Sequence, residues 1–292
     1  MIRYFKQNEI DIAKYDACIE ASINTRIYAF SWYLDCVSDN WDVLVLNDYD
    51  AVMPLPWRQK YFIKYIYPPA WIQQLGVFSP NEISEKLVLD FINVIPKKFK
   101  KVTIQFNSDN KFQLQNVTER VNYILPLNKP YEEIYKGYRK DRKDRLKQVK
   151  SKNYIVRKIN IEDLVYAGKK YYSYLKIKEE DYSKLKELSI SIKNNNNGFL
   201  LGVYTNNNQF LGGSFLLKDK SRITYLFSVA TEIGKKDQII SQVVNEIIEE
   251  HSNCNLVLDF EGSMIDGIAS FYRSFGAIEE EYFSFEKSFH LF

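Results

Sequence analysis

Cysteine and histidine are scarce in this sequence. Three cysteines and two histidines occur in 292 residues. Cys18, Cys36 and Cys254 lack the short spacings of metal ligands, and their odd number is typical of a protein from a reducing compartment. With His251 and His290 as the only imidazoles, most histidine-based metal sites and catalytic triads are excluded.

Long apolar runs are missing as well. No stretch approaches the roughly 18 apolar residues that a membrane-spanning helix needs. The opening segment, residues 1–9, is polar and mixed, so it does not resemble a secretory signal. Together with the cysteines, these absences predict a cytoplasmic protein without integral membrane contact.

The chain has the composition of a globular protein. Apolar residues make up 46% of it, and its length predicts about two domains. The net charge of +3 is too small by itself to indicate a nucleic-acid-binding protein. The aromatic content of 15% favours either stacking platforms for bases and sugars or the codon bias of an AT-rich genome.

Apolar periodicity predicts the same α+β plan twice. Short strand-like runs, including one over 72–78, follow two helices in the first half; the second half has strands and a strong amphipathic helix over 237–251. A polar, helix-like segment separates the halves. We therefore predict two tandem lobes, each a mixed and mostly antiparallel sheet flanked by helices, with boundaries at 1–128, 129–153 (a basic helical connector) and 154–292.

The most informative segment is the strand–helix–strand unit over 255–285. Asp259 and Glu261 end a buried strand, at the position where sheets of this kind bind ligands. They lie two residues apart, so both project to one side if the strand continues, and either is a candidate proton acceptor for an attacking amine. The alternative is structural: Glu261 caps the turn at 262–263, and Asp259 pairs with Arg273 or a lysine.

The phrase FYRSFGA resembles a segment of the GNAT acyltransferases. In those enzymes a tyrosine four residues before a helix-ending glycine protonates the leaving thiolate of coenzyme A, a spacing kept by Tyr272 and Gly276. The longer pattern LDFEGS…GIASFYRSFGA is similar to the Fem group of double-lobed enzymes, which add amino acids from aminoacyl-tRNA to peptidoglycan precursors. The resemblance extends to YAFSWYLD near residue 30 and to AVMPLP and QQLGVF within 51–78.

One segment departs from the GNAT pattern. Acetyl-CoA-binding members carry a glycine-rich loop before the central helix, whose amides hold the pyrophosphate. The corresponding residues here are 230–236, with one glycine, Gly234, and an acidic Glu232. Lys235 and Lys236 remain candidates for attracting the anion of an acyl donor.

The connector carries most of the positive charge. Between Arg139 and Lys152 there are eight basic residues and two acidic ones. Arg142 and Arg145 are the candidates for binding a substrate phosphate, because arginine binds phosphate oxygens in a bidentate manner. The alternative is a solvated helix with local ion pairs.

The first lobe contains one further candidate, the segment YIYPPAWIQQ. Trp71, Gln73 and Gln74 follow two prolines and are candidates for lining a ligand groove. The alternative is a packed aromatic loop whose amides bond to backbone.

Two functions follow from these patterns. The first is an acyl- or aminoacyltransferase that forms an amide on an amine acceptor, with no permanently bound cofactor or metal and with acyl-CoA or aminoacyl-tRNA as donor. Its partners are then a small or phosphate-bearing acceptor and tRNA. The second is a non-catalytic GNAT-fold module that binds a nucleotide sugar, RNA or a partner protein. The sequence leaves the oligomeric state open.

Overall fold

A computed structural model describes residues 1–262 and 264–288, which form two compact units. Unit 1 consists of Met1–Val121 and the described residues from Glu280 onward. Unit 2 consists of Asn122–Glu279. The predicted turn residue Ser263 and His290 lie outside the described residues.

Within the described residues, unit 1 contains three α-helices, five complete strands, the first half of a sixth strand and most of the last strand of the chain. The elements of this part of the chain are β1 (Ile2–Lys6), α1 (Ile12–Ala21), α2 (Ser31–Val37), β2 (Asn40–Leu46), β3 (Ala51–Lys60), β4 (Ile63–Ile66), α3 (Glu85–Asn93), β5 (Phe99–Phe106) and β6 (Val117–Pro126).

The rest of the chain supplies the helices and strands of unit 2 and the last strand. They are α4 (Tyr131–Lys136), α5 (Lys140–Lys150), β7 (Ile155–Lys158), α6 (Ile161–Tyr171), α7 (Glu179–Asn195), β8 (Gly198–Tyr204), β9 (Phe210–Lys218), β10 (Arg222–Ala230), α8 (Glu232–Asp237), α9 (Ile239–Glu250), β11 (Val257–Gly262), α10 (Asp266–Arg273) and β12 (Ile278–Ser288). Short 3-10 turns lie at Gln7–Glu9, Ile27–Ala29 and Ser173–Leu175.

The two units have the same sheet topology. Unit 1 has the strand order β1-β2-β3-β4-β5-β12, and unit 2, read from its last strand, has β7-β8-β9-β10-β11-β6. The first four strands of each are antiparallel, the fourth and fifth run parallel, and the sixth is antiparallel to the fifth. The predicted α+β class with two GNAT-like lobes is confirmed.

The compact units do not follow the predicted boundaries of 1–128, 129–153 and 154–292. The second half of β6, from Asn122, pairs with β11 and belongs to unit 2, whereas β12 from Glu280 pairs with β5 and belongs to unit 1. Each sheet therefore obtains its sixth strand from the other half of the sequence. The predicted connector is part of unit 2, where α5 packs against α9.

The segment predicted as a strand over 72–78 is irregular instead, and isolated bridges at Leu75 and Phe78 tie it to its neighbours. The Asn110 amide accepts from the Val77 N–H at 2.6 Å and donates to the Val77 carbonyl at 3.0 Å. Gly76 has φ +108°, and a Cβ there would lie 2.2 Å from the Asn110 side-chain oxygen. An asparagine side chain thus takes the place of a partner strand.

The helix predicted over 237–251 is interrupted at Gln238, which has φ +53°. Its backbone therefore separates α8 from α9. The apolar stripe of α9 faces the unit 2 sheet as predicted, because Ile239, Val243 and Ile247 are fully buried.

Candidate functional site

The two parallel strands of the unit 2 sheet stop pairing part-way along, which leaves an opening in the hydrogen-bond ladder between them. Within the described residues, β10 and β11 pair only at Arg222–Thr224 and Val257–Asp259. Directly beyond, the register of β10 against β9 shifts after Tyr225, and the register of β11 against β6 shifts after Asp259. Bulges of this kind redirect a strand and take backbone groups out of the ladder. The two strands therefore separate at the point where both are irregular.

Tyr272 packs over this opening. Its ring stacks on Phe260 of β11 at 4.7 Å between centroids and meets Tyr225 of β10 edge-on at 6.4 Å. The residue is 8% exposed, and burial, followed by the neighbouring Tyr225, raises its pKa well above the usual tyrosine range. Its phenol therefore stays protonated at neutral pH. Gly276, with φ +82°, follows the helix end at the predicted spacing.

Asp259 forms a buried ion pair. Its carboxylate is 2.8 Å from an Arg222 guanidinium nitrogen, and the two side chains are 2% and 10% exposed. Its other oxygen accepts from the Asn122 amide at 3.0 Å and from the Glu261 backbone N–H at 2.9 Å. Both oxygens are thus engaged in holding β11 to its neighbours.

The sequence interpretation missed the partner of Asp259. Arg273, the arginine considered there, instead donates to the Tyr123 hydroxyl at 2.8 Å and lies 3.4 Å from Glu279. Arg222 begins β10, which pairs in parallel with β11, and no signal in a single sequence identifies that register.

Glu261 lies at the bulge with φ +58°, a left-handed conformation that is uncommon for glutamate. The alternation assumed from the sequence, with Asp259 and Glu261 on one side of a regular strand, therefore does not apply. Glu261 is half-buried, and its charge is among the causes that raise the pKa of Tyr272, after burial and Tyr225. The carboxylate and the phenol thus share one electrostatic environment.

Arg142 is buried and joins three helices. Its guanidinium donates to Ser274 Oγ at 2.8 Å, to Gln238 Oε1 at 3.2 Å and to Ser241 Oγ. It also lies 4.7 Å from the centre of the Phe275 ring. Burial lowers its pKa to about 10, so it remains charged at neutral pH. The side chain predicted to bind phosphate therefore holds α5, α9 and the end of α10 together.

Arg145 lies on a different face of α5. It is exposed and donates to Gln148 Oε1 at 3.1 Å. The two arginines predicted to bind one phosphate therefore do not lie together, since Arg142 is buried on the same side as Val149. Because α5 packs against α9, the buried side of α5 contains one of the two arginines predicted to bind phosphate.

Replacing Arg142 with alanine is expected to lower the free energy of unfolding by about 2–3 kcal/mol, because it removes charge-assisted hydrogen bonds from a buried position. Urea denaturation followed by far-UV circular dichroism measures this. The exposed Arg145→Ala is the matched control, with an expected change within about 0.5 kcal/mol. Equal stabilities of the two variants would contradict the structural role of Arg142.

In the segment that corresponds to the GNAT phosphate loop, the Gly234 N–H and the Lys235 ammonium already have partners within unit 2. The Gly234 N–H donates to Thr231 Oγ1 at 3.1 Å, and Lys235 lies 3.0 Å from Glu232. A Cβ on Gly234 would lie 2.1 Å from the Leu211 carbonyl oxygen, so close packing against β9 requires glycine here. Lys236 is exposed and follows in the same short helix.

The first-lobe candidates are mostly enclosed. Trp71 is 7% exposed and Gln74 is 1% exposed. Gln74 donates to Gln73 Oε1 at 2.9 Å, and its own Oε1 is buried without a hydrogen-bond partner among the described residues. Gln73 lines a cavity of about 10 Å³ between β4 and β5. That volume accommodates about one water molecule rather than a substrate.

Neither a metal centre nor a membrane helix is found in the part of the chain that the structure describes. Over residues 1–262 and 264–288, no group of three or more His, Cys, Asp or Glu side chains is arranged to hold a metal ion. Over the same residues, no helix is both long enough and apolar enough to cross a membrane.

No protein-family model matches the sequence, and no curated protein matches it either. Its fold is nevertheless similar to solved structures. FemX has a TM-score of 0.70 at 12% identity over 96% of both chains. L-PGS from Bacillus licheniformis has a TM-score of 0.60 at 10% identity, over 96% of this chain and 93% of that one.

A tandem GNAT protein from the clavulanic acid biosynthesis pathway has a TM-score of 0.54 at 8% identity over 98% of both chains. At such identities the likeness establishes the fold. The predicted resemblance to the FemX-like, tandem GNAT group is thereby confirmed at the level of architecture.

Proposed function

We propose that this protein is an acyltransferase that forms an amide on an amine acceptor, with aminoacyl-tRNA as the favoured donor and acyl-CoA as the alternative. The observation that carries the proposal is the opening between β10 and β11 with Tyr272 packed over it. A FemX-like fold and a resemblance to the Fem motif both support an aminoacyl donor.

The place where β10 and β11 separate is suited to binding the carbonyl oxygen of an acyl donor. Where two strands part at bulges, backbone N–H groups leave the ladder and become available as hydrogen-bond donors. Donors fixed in this way stabilise the negative charge that develops on a carbonyl oxygen during attack. Unit 2 is the favoured lobe, because the corresponding space between β4 and β5 in unit 1 is nearly filled.

The reaction requires two proton transfers. The acceptor amine attacks the acyl carbon, a C–N bond forms, and the bond from that carbon to the donor's ribose oxygen or thioester sulfur breaks. Tyr272 gives its proton to the leaving oxygen or sulfur, since its raised pKa keeps the phenol neutral. Glu261 accepts the proton that the amine loses, and that proton later restores the phenol.

Asp259 has a different part in this proposal. Because both of its oxygens are engaged with Arg222, Asn122 and the Glu261 N–H, it positions the strand end that carries Glu261. The carboxylate next to the chemistry is then Glu261 rather than Asp259.

The residues before α9 disfavour a CoA pyrophosphate held in the usual GNAT manner. The Gly234 amide is capped by Thr231, and Lys235 is paired with Glu232. Lys236 and the exposed Arg145 remain the candidates for a phosphate contact of the donor or of a phosphate-bearing acceptor.

The proposal is tested by thermal shift against charged tRNA, uncharged tRNA, acetyl-CoA, longer acyl-CoAs and UDP-linked muropeptides. A donor at a hundred times its Kd is expected to raise Tm by about 5 °C or more. Each stabilising donor is then incubated with amine acceptors, and the amide product is measured by mass spectrometry.

If charged tRNA stabilises the protein and an amide forms, the donor is aminoacyl-tRNA as proposed. If an acyl-CoA does both instead, the protein is an acyltransferase with acyl-CoA as its donor. Stabilisation by RNA or a nucleotide sugar with no transfer to any amine would instead favour the binding-module function. No stabilisation by any donor would contradict the transferase proposal.

A further inference from the structure

A basic depression lies at the edge of the unit 2 sheet, on β7, β8 and the end of α7. Its volume is about 650 Å³, within the range of small-molecule sites. The charged side chains that line it are Arg157, Lys158, Lys193 and Asp163. The depression therefore has two net positive charges, whereas the whole chain of 292 residues has +3.

The second feature of the depression is how its three basic side chains are placed relative to the carboxylates of the described residues. Within residues 1–262 and 264–288, none of the three basic side chains forms an ion pair with a carboxylate. Arg157 donates to the Asn208 amide oxygen and covers the Tyr204 ring at 3.9 Å, and both of these partners are neutral. The one acid, Asp163, accepts from the Tyr204 hydroxyl at 3.4 Å.

Other depressions differ in charge. The one between α4, α5 and α9 contains Lys147 and Lys150 together with Glu246 and Glu249. One in unit 1 contains three aspartates, Asp35, Asp39 and Asp42, with a single lysine, Lys6. Charge therefore favours an anionic ligand at β7 and β8 rather than at either of these places.

The lining also contains groups suited to a planar ring. Phe199 is half-buried in the wall and is held parallel to the His251 ring, with an interplanar angle of 3°. Asn160 and Asn196 are exposed at the rim and offer amide donors and acceptors. Cationic side chains next to an aromatic wall are the combination by which proteins bind nucleotides and single strands.

We infer that this depression is a nucleotide-binding site in which Arg157, Lys158 and Lys193 hold the phosphate and the Phe199 side of the wall holds the base. The ligand is a free nucleoside phosphate or a nucleotide at the end of an RNA strand. The inference does not depend on the proposed transfer reaction, since it concerns binding alone.

Binding is measured on the full chain by isothermal titration with AMP, CMP, adenosine, inorganic phosphate and a short single-stranded RNA. The double variant R157Q/K193Q is expected to bind the nucleotides about ten- to a hundredfold more weakly. Affinity of the unaltered protein is expected to fall as salt rises. K193Q alone provides the test if the Arg157 change disturbs packing on Tyr204.

The matched control is K140Q/K147Q, which removes two exposed positive charges from α5 of the same unit. Loss confined to R157Q/K193Q supports the site. Equal loss in both doubles, loss in the α5 double alone, or no nucleotide binding at all overturns it. Tighter binding of AMP than of RNA identifies a free nucleotide as the ligand, and the reverse identifies an RNA end. Equal binding of adenosine and AMP would exclude the phosphate contact and overturn the assignment.

Discussion

Replacing Asp259 with alanine is expected to lower the free energy of unfolding by about 3–5 kcal/mol. The change leaves the Arg222 guanidinium, whose side chain is 10% exposed, without its carboxylate. It also removes the acceptor for the Asn122 amide and the Glu261 N–H, both at the same strand end. Removing this carboxylate is costly because the buried guanidinium has lost water on folding and then loses the charge-assisted hydrogen bond that compensates for it.

Chemical denaturation of the full chain measures this effect. Far-UV circular dichroism follows both units, whereas all four tryptophans lie in unit 1, at positions 32, 41, 57 and 71. Because Asp259 lies in unit 2, the loss of stability is expected in the transition measured by circular dichroism rather than in tryptophan fluorescence. The exposed Asp144→Ala is the control and should change stability by less than about 0.5 kcal/mol.

A double-mutant cycle separates the ion pair from the two residues taken singly. Combining Asp259→Ala with Arg222→Ala should cost less than the sum of the two single changes, because each single change already breaks the one ion pair that joins these two residues. Additive losses would contradict the pair. Asp259→Ala with full stability and no activity would return Asp259 to the role of catalytic base.

Replacing Tyr272 with phenylalanine is expected to lower the turnover of amide formation by about 10²–10⁴-fold, the usual contribution of a general acid. The substitution keeps the ring that stacks on Phe260 and removes only the hydroxyl. Donor binding should therefore be nearly unchanged while kcat falls. Single-turnover kinetics with the donor found by thermal shift measure the two effects separately.

The matched control is Tyr138→Phe. Tyr138 is also buried in unit 2, and its ring lies 5.2 Å from that of Phe275. This variant should keep full turnover, because its hydroxyl takes no part in the proposed reaction. Full activity of Tyr272→Phe, or an equal loss in both variants, would contradict the acid role.

The pH dependence follows from the direction of the pKa shift. A phenol acts as an acid only while it holds its proton, and burial raises the pKa of Tyr272 well above its ordinary value. The rate is therefore not expected to fall through loss of this proton between about pH 7 and 9. If the rate of the unaltered protein fell with rising pH within that range, and this fall were absent in Tyr272→Phe, the raised pKa of Tyr272 would be contradicted.

Local patterns predicted much of the fold. The apolar stripe of α9 and the Tyr272–Gly276 spacing are read from neighbouring residues, and both appear in the structure. The failures involve distant residues. Asn110 satisfies the backbone at Val77, 33 positions away, and so replaces the strand expected over 72–78.

The candidate site, like the fold, was predicted from the sequence only in part. Spacing at the end of a predicted strand identified Asp259 and Glu261, and the resemblance to the GNAT segment added Tyr272 from the following helix. Their different roles depend on the tertiary structure. Arg222, 37 positions from Asp259, occupies that carboxylate, and the bulge gives Glu261 its left-handed backbone.

The sequence by itself determined the class of this fold and its repetition, since periodicity and turn residues act over a few positions, and its resemblance to the GNAT segment pointed to the candidate acid. Tertiary structure decided which half supplies the sixth strand of each sheet, that Arg142 is buried between helices, and that Arg157, Lys158 and Lys193 line one depression. Those outcomes depend on strand register and helix packing, which bring together residues far apart in the chain.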